Sequence, residues 1–480
     1  MNYSMVLKNL GILLVCEALA MLPSLIVAVM YGESSGWAFL STISLLLIIG
    51  ISSSFVKPKN KGIYVKDGFA IVAFGWILVS FFGALPFFFS GAIPSLVDSF
   101  FESCSGFSTT GASILIEIEG LPQAILFWRS FTHWIGGMGV LILAMAILPS
   151  VGTGSVQIMK AESPGPNPGK LVPKVKQTAK ILYGIYLIIT VVEIILLKIA
   201  GMSLFDSFVH TFGTVGTGGF SNMNFSVGAY NNIYIDVIIT VFMFICGANF
   251  ALHYQVFKGN FKGLFKDGEF KLYSLIVITS IVLVTLNIYG TMYDGIGQSI
   301  RHSAFQVVSV ITTTGYATTD FDLWPVFSKT ILFFLMFIGG CAGSTTGGIK
   351  NIRFLILFKA VKRDLLKIIY PKAIYSVRVD GKTINDHTVS EVLGFFFMYI
   401  MVFCGAILII SIEGKDLVTT ITSVATTIGN VGPGLGIVGP RGNFSSFTDL
   451  SKMVFSFCMI VGRLEIYPIL LLIFPSFWRK

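Results

Sequence analysis

Hydrophobic positions along this chain come in blocks too long and too uniform for the one-sided helices of a soluble protein. Apolar runs cover about residues 10–30, 36–55, 68–90, 125–149, 178–201, 232–257, 270–290, 328–357 (interrupted), 391–412 and 450–474. Each approaches or exceeds the roughly 20 residues a helix needs to cross the hydrocarbon of a bilayer. The pattern predicts an all-α integral membrane protein of about ten spanning helices. The first run, Leu10 to Met30, has spanning length and no small-residue cleavage site, so it predicts a retained helix and not a removable signal peptide.

Between these runs lie apolar stretches too short to cross: Pro94 to Phe107, Leu204 to Thr214, Ile300 to Ile311 and Leu417 to Thr427. At about 1.5 Å per residue, such a helix enters and leaves on one side of the membrane. Each is followed at once by a run rich in Thr and Gly. That succession predicts a re-entrant half-helix ending in an extended loop at membrane depth, a backbone tolerated only where protein buries it or it lines a water-filled cavity.

The four runs align with one another. They place Thr109, Thr110 and Gly111 beside Thr217, Gly218 and Gly219, then Thr313, Thr314 and Gly315, then Asn430, Val431 and Gly432. In the second run Gly216-Thr-Gly-Gly leaves the register open between Gly218 and Gly219. A second marker follows each run inside the next apolar helix: Ile135-Gly-Gly-Met, Ile245-Cys-Gly-Ala, Ile338-Gly-Gly-Cys and Ile460-Val-Gly-Arg. Ser95-Leu-Val-Asp-Ser-Phe is echoed by Ser203-Leu-Phe-Asp-Ser-Phe. Recurring paired markers indicate internal repetition. The expected organisation is an N-terminal helix pair (1–60) and four helix–pore-helix–loop–helix repeats around one pore (61–155, 156–260, 261–365 and 366–480).

Composition agrees and charge adds direction. Of 480 residues, 54% are hydrophobic and 12% charged, against about 25% charged in soluble domains. The net charge of +9 is not a nucleic-acid face, because 25 of the 33 Lys and Arg fall in Lys8, 57–66, 160–180, 258–271, 350–382 and the last two residues. The alternate connections carry Glu33, Glu117, Glu119, Asp294, Asp320, Asp322, Glu413 and Asp416. Positive charge on alternate connections predicts cytoplasmic termini in a cell (plasma or inner) membrane. Six Cys and five His show no clustered spacing, so neither a metal site nor an organic cofactor is expected.

Four loops about one axis set four glycine-containing backbones opposite one another. Half-helix C-termini bring negative partial charge to the centre, and glycine allows carbonyls to be turned where other residues resist. Rings of carbonyl oxygens replace the hydration shell of potassium. The expected transported ion is therefore K+. Two further features point to gating. Gly339, Gly340, Gly343, Ser344, Thr345, Thr346, Gly347 and Gly348 interrupt the third repeat's second helix, as a loop beneath the filter or as close packing through small residues. Gly348-Ile-Lys350 breaks the order a Walker loop requires. Arg463 lies mid-segment, facing the pore or pairing with another helix. A protease built on Ser344 and His133 lacks any supporting motif, so no enzyme is expected. A symporter coupling potassium to protons or sodium is the alternative to a channel-like subunit.

Several segments resemble the Trk/Ktr/HKT superfamily of potassium-uptake membrane subunits, the TrkH branch in particular. They are Gly83-Ala-Leu-Pro-Phe, Ser108-Thr-Thr-Gly-Ala, His133-Trp-Ile-Gly-Gly-Met-Gly, Thr217-Gly-Gly-Phe-Ser, the run from Gly339 to Gly348, Asn430-Val-Gly-Pro-Gly, Gly462-Arg-Leu-Glu and Phe477-Trp-Arg-Lys. The resemblance implies ten spanning helices, four pore helices, a homodimer with a pore in each protomer, and a cytosolic nucleotide-binding regulatory ring like TrkA. It also places Arg463 in the pore below the filter. Gly111 stands where sodium-permeable relatives can carry Ser, which favours potassium.

Overall fold

The computed structural model describes residues 1–56, 64–139 and 175–479. Helix follows helix throughout, with one short antiparallel hairpin, Val377–Val379 against Lys382–Ile384. Two helices, Tyr3–Tyr31 and Gly36–Ser54, pack on each other at the start. Gly11 and Gly50 face each other there, and a side chain on either would press into the opposite backbone.

Four successions of the same kind follow. In each a long leading helix gives way to a half-helix, a loop and a trailing helix. The leading helices are Val65–Phe89, Val175–Ile199, Gly268–Ile288 and Asp386–Ile410, and the half-helices are Leu96–Phe107, Leu204–Gly216, Ile296–Ile311 and Leu417–Ile428. The trailing helices begin at Gln123, Ile233, Val326 and Asp449. The echoed Ser-Leu-x-Asp sequence is a capping device. The Ser95 and Ser203 side chains accept from the Asp98 and Asp206 amides at 3.3 and 3.0 Å, and Asp416 does the same for Thr419 at 2.9 Å. Such caps satisfy amides that have no partner within the first turn of a helix.

Burial is inverted relative to a soluble domain. Ile48, Leu275, Phe397 and Leu408 are exposed on helix exteriors, whereas Thr109, Thr110, Thr217, Thr313, Thr314 and Asn430 are fully enclosed. Apolar outside and polar within is the arrangement a lipid solvent demands. Six helices among the described residues are long and apolar enough to cross a membrane, and the bent pair Ile233–Cys246 and Phe250–Phe257 makes a seventh. The chain is a multi-pass, all-α membrane protein.

The trailing helices differ from expectation. An unbroken span over 232–257 is not formed: the chain bends by 101° between Cys246 and Phe250. Asn249 caps the new helix by accepting from the Ala251 amide at 2.8 Å. Nor is 450–474 continuous. Asp449–Arg463 stops where Glu465 and Ile466 take φ of 55° and 71°, and the Glu465 carboxylate is gripped by both arms of Arg353, 2.9 Å for the longer. The interruption in the third trailing helix is present, between Leu335 and Asn351. In the first, Gln123–Gly137 is described, while its expected continuation to 149 and most of the basic segments 57–66 and 160–180 lie outside the described residues.

A ring of four loops and the loop beneath it

Each half-helix ends in the same turn. The amides of Thr110, Gly218, Thr314 and Val431 donate back five residues, to Ser105, Gly213, Ser309 and Thr426, at 2.8–2.9 Å. The residue before each donates back three residues. That pair of bonds closes a helix through a left-handed residue, ordinarily glycine. Here the left-handed positions are Thr109, Thr217, Thr313 and Asn430, with φ of 55°, 57°, 55° and 55°. Holding a non-glycine residue there costs on the order of 1–3 kcal/mol. Four such sites in register are a built feature, supported by the enclosing structure.

Two residues later comes glycine, again left-handed: Gly111, Gly219, Gly315 and Gly432 at φ 77°, 80°, 78° and 99°. The open register of the second loop thus falls on Gly219. Gly218 instead lies against the His133 ring, where a side chain would collide. Each glycine faces a carbonyl oxygen of the next loop: Gly111 that of Gly218, Gly219 that of Thr314, Gly315 that of Val431, and Gly432 that of Thr110. The succession closes on itself, so the four loops form one cyclic ring. No side chain fits at any of the four places. All four glycines line a cavity of about 140 Å³ on the side of the acidic connections.

The second marker proves to be a packing device for this ring. Gly136 and Gly462 touch the carbonyls of Phe107 and Ile428, and Gly137 lies against Gly216. Half-helix ends can seat on the trailing helices only because these positions carry no side chain. Hydroxyls brace the loops from behind: Ser108 with Thr110 at 2.7 Å, Thr312 with Thr314 at 2.9 Å, and Asn430 Nδ2 donating to Thr110 Oγ1 at 3.0 Å.

On the opposite side of the ring sits the interrupted segment of the third trailing helix. The Gly347 amide donates to Thr313 Oγ1 at 2.7 Å, and Gly347 is pressed against Asn430. Cys341 donates its amide to Gly247 O at 2.8 Å and Gly343 O accepts from the Phe250 amide at 3.0 Å, so the loop interlocks with the bend in the second trailing helix. Lys350 Nζ folds back on Thr346 and Gly347. Asn351 Nδ2 donates to Gly339 O at 2.6 Å, and the Gly340 amide donates to Thr346 Oγ1 at 3.1 Å.

Arg463 joins this loop to the ring. Its guanidinium donates to Thr345 O at 2.7 Å, Thr109 Oγ1 at 3.2 Å, and the carbonyls of Gly136 and Gly137 at 2.6 and 2.7 Å. Arg463, Gly343, Ser344, Thr346, Gly347 and Gly348 line a second cavity of about 80 Å³. The two gating features read from sequence are therefore one assembly. Ser344 Oγ is engaged with Cys341 O and Thr346, and His133 Nδ1 with Gly106 O, so they form no nucleophile–base pair.

Sequence reasoning passed over Glu269. From the first turn of a leading helix, its Oε1 accepts from the amides of Ala342 (2.6 Å), within the interrupted segment, and Ile352 (2.9 Å), in the first turn of the helix that follows it. An acidic residue within a basic connection, directly before an apolar run, was the available signal.

These features define a multi-pass membrane transport protein built on four pore loops. The family model described as TrkH, cation transport protein, matches residues 35–480, and the chain belongs to this family. It is 38% identical over the full length of both chains to the Trk system potassium uptake protein TrkH of Salmonella typhimurium. It is 36% identical to TrkG of Escherichia coli, covering 98% of this chain and 97% of that one. The crystal structure of the potassium transporter TrkH from Vibrio parahaemolyticus superposes with a TM-score of 0.89, at 36% identity over the whole of both chains.

Proposed function

We propose that this chain is the potassium-conducting subunit of a Trk-type uptake system, passing dehydrated K+ through the ring made by residues 109–111, 217–219, 313–315 and 430–432. The observation that carries the reading is the cyclic closure, in which each glycine abuts a carbonyl of the next loop. Backbone oxygens are the ligands such a ring offers, and uncharged oxygens suit a large, weakly hydrated monovalent ion. Half-helix C-termini aimed at the ring add negative partial charge where a cation would lose its water. The segment from Gly339 to Gly348, with Arg463, serves as the gate. The repeats divide as 61–155, 156–260, 261–365 and 366–480.

The basic connections face the cytoplasm of a cell with this protein in its plasma (inner) membrane, both termini included. Two copies associate, each with its own pore. A nucleotide-binding cytosolic ring docks on the basic face and moves the gate. The test is ion flux from liposomes holding the purified chain alone, comparing potassium, rubidium, sodium and lithium. Equal passage of sodium and potassium defeats the filter reading. Uphill potassium movement driven by an opposing proton or sodium gradient in the same vesicles replaces the channel with a symporter.

A further inference from the structure

Above the ring, the segments leaving the first two loops are held by a buried ion pair. Glu102 in the first half-helix is fully enclosed and Arg129 in the first trailing helix is 2% exposed. Glu102 Oε1 takes Arg129 Nε at 2.6 Å and Ser113 Oγ at 2.9 Å, while Oε2 takes the Ile114 amide at 3.0 Å. Ser113 and Ile114 follow Gly111 directly after Ala112. Arg129 extends its other arm to the second loop, donating Nη1 to Ser221 O at 2.9 Å and lying 3.5 Å over the Phe220 ring. Phe220 and Ser221 follow Gly219. One carboxylate and one guanidinium thus bind the outlets of two adjacent loops.

The same place in the other half-helices, nine residues before the ring glycine, holds His210, Gln306 and Ser423. His210 Nε2 meets Ser221 Oγ at 3.1 Å and Gln306 Nε2 meets Thr318 Oγ1 at 3.4 Å, each within its own repeat. Ser423 bonds only within its helix, to Thr420 O. The position is a tether between half-helix and outlet; in the second repeat the His210 carbonyl also takes the Tyr316 hydroxyl of the third at 3.0 Å, and in the first Arg129 carries a charged tie across to the second loop. A buried ion pair is a poor net stabiliser compared with apolar packing, so its use here calls for a geometric reason. A planar, forked guanidinium supplies one, because it fixes two partners at once.

The geometry points to Glu102 and Arg129 as a positioning pair that sets the spacing of the first two loops, and with it the discrimination of the ring between potassium and sodium. This rests on the four-loop filter proposed above. Sodium fits a narrower cage of oxygens, so a seam free to close in or to splay lets the smaller ion compete.

The test uses the full chain in liposomes, with the potassium-to-sodium permeability ratio and the melting temperature read together. Arg129→Lys keeps the charge beside Glu102 but cannot span to Ser221. It should lower the ratio about tenfold, the equivalent of one charge-assisted hydrogen bond. Ser113→Ala removes one arm while Arg129 and the Ile114 amide stay on Glu102, and should lower the ratio about threefold with a smaller fall in melting temperature than the lysine variant. Gly111→Ser is the reference for the filter itself. A wild-type ratio in folded Arg129→Lys, or in Ser113→Ala where the lysine variant does not fold, while Gly111→Ser still shifts, overturns the positioning pair alone. No shift in Gly111→Ser either overturns the filter on which it rests.

Discussion

Above the four glycines, the chain leaving the ring is tied by side-chain and backbone bonds that cross from one repeat to another. Glu102 and Arg129 join the first two. The Tyr316 hydroxyl reaches His210 O and Phe220 O at 3.0 and 3.2 Å, and the Phe444 amide reaches Ser113 O at 2.8 Å. Below the glycines, a single repeat supplies a single loop, folded largely on its own backbone. Its contacts with the rest include individual hydrogen bonds to Gly247, Phe250, Glu269, Arg463 and Thr313, and close packing of Gly347 on Asn430. The upper side has ties from several directions, and losing one leaves others in place. If the function proposed above holds, selection and gating lie on opposite sides of the ring, and each should be open to separate disruption.

The largest expected effect comes from the ring. Replacing Gly111, Gly219, Gly315 or Gly432 singly by Ser forces a Cβ into a neighbouring carbonyl at a left-handed φ. Each should cut the potassium-to-sodium permeability ratio by roughly tenfold or more, since the displaced backbone is the ligand. Four unchanged ratios would remove the basis for the comparison.

Next is the lower side. Shortening Ala342 to Gly347 should raise basal flux by about tenfold with the ratio unaltered, because the carbonyls belong to other segments. Arg463→Ala should raise flux several-fold by freeing Thr345 and removing a cation's like charge, a repulsion of about 4 kcal/mol at about 4 Å for an effective dielectric near 20. It also strips the Gly136 and Gly137 carbonyls of a donor, so folded yield should fall. Flux normalised to folded protein separates the two effects. Since both changes open one constriction, the double variant should fall short of the product. Multiplicative increases would divide the gate into independent parts.

Smaller still is Glu269→Gln. The amide retains an acceptor for Ala342 and Ile352 but loses the charge that strengthens both bonds, so basal flux should rise about twofold to fivefold with selectivity intact. Unchanged flux would leave Glu269 a structural cap only. Reversing Lys359, Lys362 and Lys367 should barely touch conduction by the isolated chain. It should weaken capture of the nucleotide-binding regulator and flatten its salt dependence, since screening acts on exposed charge. Undiminished capture would assign those lysines to the membrane surface.

The half-helices and ring glycines were legible because each repeat writes them again in the same order. Ser95 and Ser203 announce a helix start, and a Thr/Gly run announces its end. Repetition also carried the second marker, although its use differed: Gly136, Gly137 and Gly462 admit half-helix ends. The bends at Gly247 to Asn249 and at Glu465 were hidden because the apolar runs resume directly after them, so that isolated polar residues such as Asn249 and Glu465 did not divide the runs. Their causes, Cys341 reaching Gly247 and Arg353 gripping Glu465, join residues nearly a hundred or more apart in the chain. Arg463 was read as facing the pore or pairing with another helix. Its carbonyl partners leave no trace in residue types, because any sequence supplies a carbonyl.

That the four loops belong to one polypeptide changes what a mutation can do. In an assembly of four identical subunits, any substitution in the loop arrives four times at once, and the ring survives or fails as a whole. Here each quarter can be altered in single dose. Asn430 and Val431 already depart from the Thr-Thr of the first and third loops, and Gly218 from both, while the left-handed turn is kept in all. A fused ring can therefore drift in small steps, one quadrant acquiring an interrupted helix and another an arginine, while the remaining quadrants keep the turn that closes the ring.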